Sequence, residues 1–166
     1  MDTYYFAYGS NMAYPRIRAR VGSARPMGVF ELPGHQLRFH KIGADGSAKC
    51  NALFTGRGSD LVQGVVFRVR TAEIGVLDHA EDLGRGYARR TVLVSDREAG
   101  AVAALAYFAL LIDDRLRPFH WYKHHVLEGA RSAGLCRHYR RRIERVKSVR
   151  DPDAGRARRE LAIHGL

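Results

Sequence analysis

The sequence predicts an α+β domain: a mixed, largely antiparallel sheet curled into a small barrel, with flanking helices. Three observations carry this. About seven strand-like and four helix-like segments share the chain. The strands of the middle follow one another in hairpin fashion, too consecutively for a doubly wound parallel sheet. No GxGxxG or Walker pattern argues for a nucleotide-binding arrangement. At 166 residues the chain suits one domain with a sizeable core.

In chain order, Thr3–Tyr8 is aromatic and β-prone, and it stops at the turn signal Tyr8-Gly9-Ser10-Asn11. Asn11 is the expected cap of a helix over Ala13–Val21, with Pro15 in its first turn. Ala24–Leu32, Gln36–Lys41 and Lys49–Phe54 read as strands separated by Pro33-Gly34 and Asp45-Gly46, and Val62–Val69 as a Val-rich strand. Thr71 is the expected cap of a helix that places Ile74, Leu77 and Ala80–Glu81 near one face and ends at Gly84 and Gly86. Ala88–Ser95 and Ala101–Ile112 are strands joined by a turn at Glu98–Gly100. Helices follow over His120–Ser132 and Arg137–Val146, with Gly134 between them. The domain spans 1–150; residues 151–166 read as a C-terminal tail with room for a short helix.

The hydrophobic fraction of 46% and charged fraction of 27% are those of a folded protein. Neither a secretory signal nor a membrane-length apolar run is present, so the expected location is the cytoplasm. Cys50 and Cys136 lack CxxC spacing and read as reduced thiols. The net charge is +11, but residues 137–150 alone carry seven Arg/Lys against one Glu. The body of the domain is therefore only mildly basic.

Three motifs can carry chemistry. Phe6-Ala7-Tyr8-Gly9-Ser10-Asn11 is a turn after a strand, with consecutive backbone N–H groups able to hold a carboxylate or an oxyanion. Leu77-Asp78-His79-Ala80-Glu81 ends in a carboxylate near a buried face, where partial drying would raise its pKa and suit it to acid/base work. Trp121-Tyr122-Lys123 opens a helix with a tyrosine able to hydrogen-bond a ligand. Taken singly, each has a plainer reading: a structural turn, a solvated terminal Glu, a core aromatic.

Together their order and spacing resemble the γ-glutamylcyclotransferase family and its AIG2-like relatives. Tyr5 to Asn11 resembles the family's signature loop. Gln63-Gly64-Val65-Val66-Phe67 is similar to its "WGVV" strand, with Gln63 in place of a common Trp. Leu77-Asp78-His79-Ala80-Glu81 resembles its "LD-x-x-E" helix, and Pro118 to Leu135 its "P…YKK…GA…GL" helix. The resemblance covers residues 3–146. It implies a barrel fold of that family, with Glu81 as catalytic acid/base. It implies a substrate-binding loop of Tyr5, Phe6, Ala7, Tyr8, Gly9, Ser10 and Asn11, and substrate contacts from Tyr122 and Tyr87. Tyr87 stands one residue closer to the glutamate than the family tyrosine does.

The implied reaction closes a γ-glutamyl compound on itself. Its own α-amine attacks the γ-carbonyl, releasing 5-oxoproline and a free amine or amino acid. The substrate brings the nucleophile, so no cofactor and no metal are expected. The expected partner is the small-molecule substrate, with no membrane and no nucleic acid; a homodimer is left open. His120 and His124 have i,i+4 metal-ligand spacing, with His125 beside them, but no HExxH pattern. The alternative from another class is a non-enzymatic module binding nucleic acid or an acidic partner through Arg137–Arg150. Lys49-Cys50-Asn51 is a candidate pocket wall or a plain strand.

Overall fold

The computed structural model describes every residue except 97 and 99. Seven strands are present among the described residues: β1 (Asp2–Ala7), β2 (Arg25–Pro33), β3 (His35–Ile42), β4 (Ala48–Phe54), β5 (Leu61–Arg70), β6 (Tyr87–Asp96) and β7 (Gly100–Ala109). The α-helices are α1 (Tyr14–Arg20), α2 (Ile74–Ala80), α3 (His120–Ser132), α4 (Arg137–Glu144) and α5 (Ala154–Ala162). Short 3₁₀ turns at Ser10–Met12 and Thr71–Glu73 precede α1 and α2.

Five strands close into a barrel in the order β1-β5-β2-β6-β7, and β3-β4 form a separate two-stranded ribbon. The α+β barrel expected from the sequence is the architecture found. All ladders are antiparallel except the seam, where β1 meets β7 in parallel at Tyr5↔Leu105. Closure removes the exposed edges that an open five-stranded sheet would leave. The β6/β7 hairpin is as expected; residue 99 of its turn lies outside the described residues. β2, however, pairs with β5 across the intervening ribbon.

The core fills the barrel and the space beneath α3. Phe6, Phe67, Leu77, Val62 and Val66 are fully buried inside it. A bulge between Phe39 and Lys41 breaks the alternation of β3, so that His40 and Lys41 are both buried. That register shift turns Lys41 toward the end of the barrel where β1 terminates.

Several local expectations are corrected. Asn11 does not cap α1: Ala13 is the N-cap residue and no side-chain cap bond forms. Asn11 is buried and bonded elsewhere, as described below. Thr71 does not cap α2 either; its hydroxyl meets Thr3 Oγ1 at 2.8 Å and Met1 O at 3.2 Å, tying the two barrel strands. Helix α2 stops at Ala80, which is exposed, rather than running to the glycines. Strand β7 ends at Ala109; Leu110–Ile112 leave the barrel and lie exposed, with Leu111 accepting from Ile42 N–H at 3.1 Å.

Residues 151–166 contain α5, capped by Asp153, whose side chain accepts from Arg156 N–H. Asp151 ties this segment to α3: it accepts from Trp121 Nε1 at 2.7 Å and takes the Arg156 guanidinium on both oxygens. The family-like Gly129 has a physical reason as well. A Cβ there would fall 2.4 Å from Ala13 N and 2.5 Å from Met12 C, so α3 rests directly on the 3₁₀ turn Ser10–Met12. In an open helix Gly→Ala would gain about 1 kcal/mol. Here the backbone overlap wins, and Gly129→Ala is expected to destabilise by ~1–3 kcal/mol. Thermal unfolding checks this; an unchanged or raised Tm would contradict it.

Candidate functional site

The site forms where β1 ends. β1 pairs with β5 up to Ala7↔Val65 and then turns out through Gly9. Gly64 is required beside that exit, because a Cβ there would lie 2.5 Å from Ala7 O. No protein hydrogen bond reaches the N–H of Gly9 or Ser10 among the described residues. Gly9 has φ −114°, so its smallness rather than a left-handed backbone is what the site uses. A Cβ at Gly9 would sit 3.1 Å from Cys50 Cβ and 3.4 Å from the Tyr122 hydroxyl.

Glu81 reaches this loop from α2, about seventy residues away in sequence. It is the C-cap residue of α2, its N–H bonded to Leu77 O at 2.9 Å. Asp82 then takes a left-handed φ of 51°, a conformation its short polar side chain tolerates. The chain therefore reverses immediately after Glu81. The Glu81 side chain is only 16% exposed. Asn11 Nδ2 donates to its Oε1 at 2.9 Å and to the Tyr5 hydroxyl at 3.0 Å. Arg20 donates to Asn11 Oδ1 at 2.9 Å and stands 3.6 Å from the Glu81 carboxylate. Burial raises the Glu81 pKa above its ordinary value, against the opposing pull of Arg20, Arg16, the Asn11 bond and Lys41.

A narrow cavity of about 30 Å³ lies between them. Tyr5, Phe6, Tyr8, Gly9, Ser10, Asn11, Glu81, Tyr87 and Tyr122 line it, so the structure brings together all the expected site residues except one. Ala7 is buried in the barrel and does not line the cavity. Cys50 and Tyr107 line it as well. The peptide of Cys50 organises two tyrosines: its N–H donates to the Tyr122 hydroxyl at 2.9 Å, and its carbonyl accepts from Tyr87 at 2.7 Å. Tyr8 donates to Tyr107 O, and the Tyr107 hydroxyl to Asp78 at 2.8 Å. Burial pushes the Cys50 thiol up to about 12, which keeps it protonated and a poor nucleophile at neutral pH.

The cavity opens into a vestibule of about 480 Å³, sharing Ser10, Glu81, Tyr87 and Tyr122 with it. Arg16, Arg20, Lys41, Lys49 and Arg85 line this outer space against Asp45, Glu81 and Asp82. Lys49 is paired with Asp45 at 2.7 Å and rests over the Tyr122 ring. Lys41 lies over the Tyr87 ring at 4.8 Å. Of these basic residues the sequence singled out only Lys49, in the candidate wall Lys49-Cys50-Asn51, of which Lys49 and Cys50 do line the site. The available signal was the i,i+4 spacing of Arg16 and Arg20 on the helix that follows the loop. Lys41 had no signal, because the bulge that directs it is a tertiary feature.

The helix histidines go their own ways. His120 bonds Ser148 at the surface, His124 meets His164 edge to face, and His125 is buried beside Glu160. Among the described residues no three His, Cys, Asp or Glu side chains are grouped to hold a metal ion. Asn51 turns away from the cavity, to His40 and the Ala109 N–H. No helix is long and apolar enough to cross a membrane among the described residues.

A small closed barrel with a half-dry acid at the junction of an aromatic cavity and a basic vestibule is the frame into which known relatives fall. The chain belongs to the γ-glutamyl cyclotransferase, AIG2-like family, whose model matches residues 5–124. It is 30% identical over 148 residues to a γ-glutamylcyclotransferase of Mus musculus, covering 86% of this chain and 78% of that protein. A γ-glutamylcyclotransferase of Bos taurus is 28% identical over the same shares of each chain. Among solved structures, an uncharacterized protein from Homo sapiens superposes with a TM-score of 0.82 at 25% identity, over 89% of each chain. A γ-glutamyl cyclotransferase structure superposes over 100% of both chains with a TM-score of 0.87; at 22% identity this is a likeness of fold.

Proposed function

We propose that this chain is a γ-glutamylcyclotransferase that converts a γ-glutamyl compound to 5-oxoproline and a free amine or amino acid. The observation that carries the proposal is the position of Glu81. Its carboxylate is mostly buried, raised in pKa, and lines both the inner cavity and the vestibule. A narrow inner cavity admits only the end of an extended substrate, so the reacting centre belongs at the junction. Glu81 takes a proton from the substrate's α-ammonium. The freed amine attacks the γ-carbonyl, and the amide C–N bond breaks. Two protons pass in turn from the α-nitrogen to the departing nitrogen, and one carboxylate can relay both. The N–H groups of Gly9 and Ser10 and the tyrosine hydroxyls hold the γ-glutamyl part. Positioning supplies much of the rate, since well-oriented intramolecular attack reaches effective molarities of ~10⁵ M or more.

The leaving half would occupy the vestibule. Its basic lining favours a leaving group that carries a carboxylate, and so an amino acid over a simple amine. The test is 5-oxoproline release from a panel of γ-glutamyl amino acids and γ-glutamyl alkylamines. Release is expected without added nucleotide, to survive exhaustive chelation, and to be faster for the amino acids. Absence of release across the panel would defeat the proposal. If a salt-sensitive shift of RNA or DNA accompanied that result, the binding-module reading of Arg137–Arg150 would take its place. Loss of release on chelation with rescue by zinc would point instead to the helix histidines.

A further inference from the structure

The loop that carries Ser10 is not held by its own segment alone. Arg16, on α1, is almost fully buried, with 8% of its side chain exposed. Its Nε donates to Ser10 Oγ at 3.3 Å, and its Nη1 donates to the carboxylate of Glu160 on α5. A guanidinium this dry needs a counter-charge, and Glu160 is the carboxylate that bonds it. Glu160 is itself fixed from a second side. His125, fully buried on α3, has Nε2 at 3.0 Å from the same Glu160 oxygen and Nδ1 at 2.7 Å from His164 Nε2. Nε2 also lies 3.1 Å from Arg16 Nη1, so each tautomer serves one of the pair: Nε2–H donates to Glu160 with Nδ1 accepting from His164, or a bare Nε2 accepts from Arg16 with Nδ1–H donating to His164. Burial lowers the His125 pKa to about 4, so the neutral ring is the form present at neutral pH.

We propose that Glu160 is a positioning residue for the substrate loop, holding Arg16 in the one orientation from which its guanidinium can reach Ser10. This rests on the reading of the Gly9–Asn11 loop as the substrate cradle. It assigns a role in the site to the segment after residue 150, which lies beyond the residues that the family model matches. It also gives Arg16 a role distinct from that of Arg20. Arg20 serves Asn11 and Glu81, whereas Arg16 serves Ser10 and faces the vestibule.

Glu160→Gln keeps size and removes the charge. Substrate affinity is expected to fall, with KM rising roughly tenfold, as for loss of a charge-assisted hydrogen bond, and kcat changing less than about threefold. In a Ser10→Ala background the same change should add nothing further to KM, because the contact through which it acts is gone. The amide resonances of Gly9 and Ser10 should also move in Glu160→Gln, a readout that needs no turnover. An unchanged KM, full additivity with Ser10→Ala, or unmoved loop amides would each overturn the proposal. Should Glu160→Gln fail to fold, Arg16→Lys is the second variant. It keeps the charge but loses the N–H that reaches Ser10, so the same rise in KM and the same amide movement are expected, and their absence is equally decisive. If the unaltered protein releases no 5-oxoproline, the cradle reading fails; the amide shifts then still decide whether Glu160 holds the loop.

Discussion

Glu81→Gln is expected to bind substrate and turn it over ~10² to 10⁴-fold more slowly, the usual contribution of a positioned acid/base group. The amide keeps the size of the carboxylate and can still meet Asn11, but it cannot accept the α-ammonium proton. KM should therefore change little while kcat falls, as expected when an interaction needed only in the transition state is lost. Stability gives an independent reading. Burial raises the Glu81 pKa, so the folded state holds this proton more tightly than the unfolded chain does. Its favourable contribution is complete below the ordinary value of 4.5 and is lost as pH rises through the raised value. Above that raised value the ionised, mostly buried carboxylate costs stability, and there Glu81→Gln should melt no lower than the unaltered protein. Glu160 has the opposite sign. Burial alone would raise it, but the His125 bond and Arg16 hold it down at about 2, so its stabilisation is complete above 4.5 and is lost as pH falls from there through about 2. Normal turnover in Glu81→Gln would leave the family likeness as a likeness of fold.

Gly9→Val is expected to lose substrate binding while the barrel stays folded. The new Cβ would press on Cys50 at 3.1 Å and on the Tyr122 hydroxyl at 3.4 Å, and the branched methyls need further room at the same wall. Cys50 belongs to a strand and Tyr122 to α3, so neither can yield without moving its element. The loop, which has fewer restraints, must shift instead. A displacement of ~1 Å at a reacting centre costs about 10²-fold. kcat/KM should fall by roughly that factor or more, and an unreactive γ-glutamyl analogue should bind measurably more weakly, with Tm lowered only modestly. Unaltered affinity would show that the loop does not hold the substrate.

Much of this was legible from local pattern. Strand and helix periodicity located the elements, whereas the loop after β1, Glu81 and Tyr122 each had a plainer local reading and stood out only through their shared order and spacing, which resemble the family's. What was not legible depends on partners distant in sequence. Asn11 looks like a helix cap because Asn after a turn often is one. Its side chain is instead taken by Tyr5, Glu81 and Arg20, which a local reading cannot weigh. Thr71 is diverted in the same way by Thr3. Leu110–Ile112 continue the apolar pattern of β7 and so look like strand, yet they leave the barrel after its last ladder pair at Tyr87↔Ala109. Arg16 and Glu160 are 144 residues apart, and nothing local to either announces the other.

The hydrogen bonds of the five cavity tyrosines give the site a polarity. Tyr8, Tyr87 and Tyr107 have each committed their hydroxyl proton to a protein acceptor, two of them to main-chain carbonyls and Tyr107 to Asp78. What they can still present is oxygen lone pairs. Tyr5 is in the reverse condition: it accepts from Asn11 and keeps a proton to give, whereas Tyr122 accepts from Cys50 N–H and turns its own proton to the Cys50 thiol. Five chemically identical side chains thus divide into four whose hydroxyl protons point at protein acceptors and one, Tyr5, whose proton does not. That proton sits on the wall shared with Asn11 and Glu81, so the cavity has one donating side and a facing side of lone pairs.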